Sequence, residues 1–141
     1  MTPHSDLIER LKRATGPDRE LDALIACEVF YHTLRPARPN DHKEAQHGYA
    51  PGPGDIWCPT GFLIADSYTR NIDAALTLVP EGWQYQLLHT SALPRVSGRK
   101  YHASIALMSG TGWTQGKYYD GDADTLALSI CIAALQAKSA Q

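Results

Sequence analysis

Leu7, Ile8, Leu11 and Ala14 recur every three to four positions near the start of the chain, with Glu9, Arg10, Lys12 and Arg13 between them. That spacing lines one face of a helix with apolar groups and leaves the other in water, predicting a helix over 6–15. Asp6 and Glu9 are spaced as a capping pair for the free amides of the first turn, and Gly16 offers a left-handed stop. Pro17 can open a second helix without losing a hydrogen bond, and Leu21, Leu24, Ile25 and Val29 give that helix its stripe. The segment 6–30 therefore reads as a helical hairpin.

From Tyr31 to Gly61 the periodicity vanishes. Five of the nine prolines lie here (Pro36, Pro39, Pro51, Pro53, Pro59), with Gly48, Gly52, Gly54 and Gly61. Proline removes a donor and restricts its predecessor, so this stretch reads as an irregular loop ending in a short strand at 62–65. Helical spacing returns at Ile72, Ala75, Leu76 and Val79, with Ser67 or Thr69 as cap and Pro80-Glu81-Gly82 as stop. Trp83–Thr90 and Tyr101–Met108 alternate as strands, joined by a long hairpin loop, and Trp113–Tyr119 adds a third strand after the Ser109–Gly112 turn. A final helix over 125–138, capped by Asp122 or Asp124, carries apolar residues on most faces and so belongs inside the molecule.

These elements predict an α+β fold: a small antiparallel sheet of three to four strands, packed with a buried C-terminal helix, a middle helix and the N-terminal helical hairpin. The expected organisation is one domain over 1–141, with its α+β core at 62–138. A chain of 141 residues has the usual size for that. Its 43% hydrophobic and 20% charged residues read as globular. The net charge of −2 argues against a general nucleic-acid or membrane-surface binder. Cys27, Cys58 and Cys131 are odd in number and widely spaced, which reads as reduced thiols and not as a disulfide framework. The first residues are too polar for a signal peptide, and no apolar run approaches the ~20 residues of a membrane span. Placement in the cytoplasm, with no membrane partner, is the expectation.

Asp120-Gly-Asp-Ala-Asp124 resembles the opening of a calcium loop, but Thr125 and Cys131 stand where that loop needs glycine and glutamate. Helix capping explains the aspartates more simply. Gly110-Thr-Gly112-Trp-Thr-Gln-Gly116 has its third glycine one place late for a dinucleotide turn and reads as a hairpin. His32, His42, His47 and Cys58 match no familiar zinc spacing. His89 and His102, on adjacent strands, read as a cross-strand polar pair, with no nucleophile elbow nearby. No cofactor or metal is expected. The aromatic residues remain: Tyr68, Tyr85, Tyr101, Tyr118, Tyr119, Trp57, Trp83 and Trp113. Strand packing accounts for some of them. Arg95, Arg99, Lys100, Tyr101, Trp113 and Tyr118 form the candidate binding set, since cations beside amphipathic rings suit a protein partner or a stacked ligand.

Three stretches, LIERLKRATGPDRELDALIA, SYTRNIDAALTLVPEGW and ADTLALSICIAALQAK, resemble a group of uncharacterised bacteriophage and prophage proteins, largely from alphaproteobacteria. The latter two are also similar to the phage ABA sandwich domain. The resemblance covers the helices and transfers no catalytic residue. It implies a phage-encoded accessory protein of the bacterial cytoplasm. The expected function is non-enzymatic binding of a host protein, with suppression of a defence as its purpose. The alternative is a module that sequesters a small nucleotide signal through Arg95, Arg99 or Lys100. An enzyme using His89 or His102 is a third reading.

Overall fold

The computed structural model describes residues 4–38, 41, 51–59, 61–80, 83–89, 101–109 and 112–139, with backbone alone at 84–89, 107–109 and 112–118. The elements are α1 (Ser5–Arg13), α2 (Arg19–Val29), β1 (Arg35–Pro36), β2 (Asp55–Cys58), β3 (Gly61–Ile64), α3 (Ile72–Leu76), β4 (Trp83–His89), β5 (Tyr101–Ser109), β6 (Gly112–Ala123) and α4 (Leu126–Ser139). The fold is α+β, as expected, but with two antiparallel sheets, β1-β2-β3 and β4-β5-β6. The elements fall into two compact units, Met1–Pro17 with Tyr68–Gln141, and Asp18–Ser67.

In the first unit α4 packs on β5 and β6, and α1 and α3 pack against α4. Every residue of α4 from Ala127 to Leu135 is buried, as its apolar faces require. Side chains alternate over 102–105 of β5: Ala103 and Ile105 are buried, while His102 and Ser104 on the other face are only partly covered. Across the ladder, Ala103 pairs with Gly121 and Tyr101 with Ala123. Ala103, Gly121 and Ala123 on the face under α4 are small, and there the helix comes close. A Cβ on Gly121 would collide with the Ser129 carbonyl oxygen and lie 2.9 Å from the Ala133 nitrogen. Leu128, Ile132 and Leu135, with no exposure left, each contribute roughly 1.5–3 kcal/mol by leaving water. Trp83 and Tyr119 add a ring contact at 5.7 Å between centroids.

Several local expectations are corrected. Helix α1 starts one residue before Asp6 and ends with Ala14 extended, and Gly16 does not take the left-handed conformation. Pro17 precedes the true cap of α2, Asp18, whose carboxylate accepts from Glu20 N (2.9 Å) and Leu21 N (3.2 Å). Asn71, not Ser67 or Thr69, caps α3, accepting from Asp73 N at 2.8 Å and Ala74 N at 3.3 Å. Thr125 caps α4 through Oγ1, 3.2 Å from Leu128 N. Asp122 and the rest of the DGDAD sequence up to Ala123 lie in β6, so these carboxylates stand in a strand and not in a loop or cap. Ser109 pairs with Gly112, which makes the glycine-rich segment a hairpin.

In the second unit α2 packs on β1 and β2. The proline-rich segment holds strands after all, because β1 is an edge. Ala37 N donates to Asp55 O and Arg35 pairs with Trp57, so the alternation of the ladder turns the Pro36 position away from β2, where a missing N–H costs nothing. Arg19 binds this unit's two ends together: its guanidinium donates to Asp22 (2.8 Å), the Ala65 carbonyl (2.7 Å) and Ser67 Oγ (3.2 Å). Gly54, at φ 92°, leaves that guanidinium its space: a Cβ there would stand 2.6 Å from two of its nitrogens.

Gly121→Ala should destabilise the protein by about 1–3 kcal/mol through overpacking against α4, read as a lowered urea midpoint. Gly16→Ala, where a Cβ meets nothing within 4 Å, should leave that midpoint nearly unchanged.

Candidate binding site

A groove of about 340 Å³ opens at the N-terminal end of α4. Its floor is apolar, from Ile72, Leu126 and Ala127, and its polar groups come from Arg70, Tyr101 and Asp124. Local rules place each wall. The Asn71 cap turns the chain so that Arg70 is exposed while Thr69 beside it is fully buried. The Cys131 thiol of α4 donates to the Tyr68 carbonyl at 3.3 Å, tying the 68–70 turn to the helix. Tyr101 begins β5 on the face that α4 covers, half-buried. A guanidinium, a phenol and a carboxylate around an apolar floor suit a ligand or partner side chain with both polar and apolar parts.

Of the candidate set, Tyr101 alone is placed in full, and it lines this groove. Trp113 and Tyr118 lie on β6, paired with Met108 and Ala106, and their side chains are outside the described residues. Arg95, Arg99 and Lys100 are outside them altogether, although Lys100 adjoins Tyr101 in the chain. The other described rings have packing roles: Tyr68 is buried, Trp83 meets Tyr119, and the Arg35 guanidinium lies 5.2 Å from the Trp57 ring centre. Arg70 was missed. Its signal was a lone arginine next to a capping asparagine, which sequence alone does not distinguish from a solvated surface cation.

On the opposite face of the same sheet, His102 Nδ1 lies 2.6 Å from Asp122 Oδ1, and Nε2 lies 3.5 Å from Asp120 Oδ1. Asp122 is the direct cross-strand partner of His102. The expected pairing of His89 with His102 does not occur: His102 stands opposite Leu88, and His89 opposite Tyr101. Among the described residues no serine, threonine or cysteine is hydrogen-bonded to His102, and no three His, Cys, Asp or Glu side chains converge as metal ligands. His32 is exposed in a turn after α2 and Cys58 half-buried on β2, while His42 and His47 lie outside the described residues. Burial, and then the Glu28 carboxylate, push the Cys27 thiol up, away from reactive thiolate.

A further charged cluster is structural. Arg35 grips Asp41 with both terminal nitrogens, at 3.0 and 2.8 Å, and donates to the Pro36 carbonyl at 3.1 Å. The Asp41 side chain is only 4% exposed. The hydrogen bond from Arg35 holds its carboxyl below the ordinary range, against the upward pull of burial.

Fold and site together define a small α+β protein with a groove where a turn meets the end of its buried helix. Its structure is similar to the crystal structure of a phage protein from Bacillus cereus ATCC 14579, with a TM-score of 0.50 and 21% identity over 89% of this chain and 94% of that chain. At that identity the likeness is one of fold. No family model matches the sequence, and no curated protein matches it. Among the described residues no helix is long and apolar enough to cross a membrane.

Because the folded pKa of Asp41 is depressed, its contribution to stability is present above the unfolded value of about 3.9 and lost as pH falls through the folded one. Wild type should therefore exceed Asp41→Asn in urea-unfolding free energy at neutral pH, and the gap should close on acidification. A gap independent of pH would contradict this.

Proposed function

We propose that this chain is a phage or prophage accessory protein that binds a host protein in the bacterial cytoplasm, without catalysis, and so blunts a host defence. The observation that carries the reading is the likeness of nearly the whole chain to a phage protein. The groove supports it with the residue types that concentrate binding energy, since Tyr101 and Arg70 flank an apolar floor. Among the described residues no serine, threonine or cysteine is hydrogen-bonded to the His102–Asp122 pair, so nothing there supports a nucleophilic mechanism.

The groove also favours a second reading, a module that sequesters a nucleotide signal. A ring stacked on Tyr101 and an anionic group beside Arg70 would use its two most distinctive side chains.

Affinity capture from a bacterial host lysate at stringent salt tests the first reading. Wild type should retain a specific protein, and an Arg70→Ala/Tyr101→Ala variant should retain it at least about tenfold more weakly, the usual cost of truncating such anchors. Recovery of no specific protein counts against it. A thermal-shift screen against nucleotides tests the second: a ligand at a hundred times its Kd should add roughly 2.7 kcal/mol of stability, and Tyr101→Ala should remove the shift. A screen without a hit eliminates that reading.

A further inference from the structure

Arg19 stands where the smaller unit begins and holds the place where it ends. That unit runs from Asp18 to Ser67, and Arg19 is the first residue of α2. Its guanidinium reaches the Ala65 carbonyl just past β3, 46 positions along the chain, and Ser67 Oγ, 48 positions along. The same group donates to Asp22, whose side chain is only 1% exposed. Gly54 lies just before β2, and its carbonyl accepts from Ala65 N at 2.9 Å. Its bare Cα leaves the guanidinium room. The start of α2, the approach to β2 and the exit of β3 therefore converge on one side chain. Helix α2 packs on β1 and β2, with Leu21, Ile25 and Ile56 buried. Bonds that close so long a stretch of chain last only while the fold between their ends persists, because closure costs entropy that burial must offset.

We propose that Arg19 is the clasp of a conformational device. When its bonds break and reform, α2, β1, β2 and β3 open and close as one cooperative body, while the larger unit stays folded. Openings of this kind follow supersecondary motifs and cost less than global unfolding. The clasp decides the cost here, because bonds to a charged guanidinium are stronger than neutral ones and these join the unit's first turn to its last residues. The Arg19 side chain is 35% exposed, so water can take the place of its acceptors as the body opens. Every residue lining the groove belongs to the larger unit, and the opening leaves that site intact whatever it binds.

Native-state hydrogen exchange of the full chain in rising, sub-denaturing urea, read by mass spectrometry, tests this. In wild type the amides of α2, β2 and β3 should share one opening rate and one urea dependence, and exchange faster than those of β5 and α4. Arg19→Ala should accelerate exchange throughout α2, β2 and β3 at least about tenfold, the scale of one lost hydrogen bond to a charged group, with β5 and α4 unchanged. Ser67→Ala, which removes one acceptor and keeps the others, should accelerate the same amides by a smaller factor. Four results overturn the proposal. These are separate opening rates for α2 and its sheet in wild type, equal acceleration in β5 and α4, acceleration confined to the residues beside Arg19, and no acceleration in Arg19→Ala.

Discussion

Gly121 is where the backbone of β6 comes against the Ser129 carbonyl of α4, with no side chain between them. That close approach is the constraint on which the rest of the larger unit depends. It brings α4 near enough for Ala103 and Ala123, small themselves, to be covered completely. It lets a helix rich in alanine be buried on most of its surface, because alanine fills the narrow gap that larger residues would overfill. Leu128, Ile132 and Leu135 of the same helix are left with no exposure.

The position of the groove follows from this packing. Held against the sheet, α4 begins where β6 ends, and the Thr125 cap marks the point at which the chain changes direction. The bond from the Cys131 thiol to the Tyr68 carbonyl fixes the turn carrying Thr69 and Arg70 to the same helix. Tyr101, at the start of β5, completes the wall. In the smaller unit Arg19 has an analogous part: three acceptors, on Asp22, Ala65 and Ser67, share one guanidinium, which adds directed bonds to the burial of Ile25 and Ile56.

The long periodic elements were legible in the residues. The stripe of Leu7, Ile8 and Leu11, the all-round apolar pattern of α4 and the alternation in β4 and β5 each identify an element, because a period of 3.6 or 2 is a property of the residues alone. The ends of elements were less legible. Asn71 and Thr125 cap where Ser67 or Thr69, and Asp122 or Asp124, were expected, since several neighbouring polar residues can cap equally well in isolation, and α2 starts after an Asp18 cap and not at Pro17. The strands β1 and β2 were hidden by prolines, one of which proves harmless at a sheet edge. In the groove only Tyr101 was foreseen. Arg70 comes to line the groove only because the fold brings it to the same opening as Tyr101, thirty-one positions along the chain.

The residues by themselves determined the α+β class, the buried last helix and the antiparallel succession of β4, β5 and β6, because these follow from local periodicity and the chemistry of turns. The tertiary structure decided the split into two sheets, the partners of Asp22, Asp41 and His102, and the face that carries the groove. Those depend on which distant groups come within bonding distance. A one-dimensional pattern limits such encounters but cannot choose among them, since many polar residues could pair and packing selects those that do.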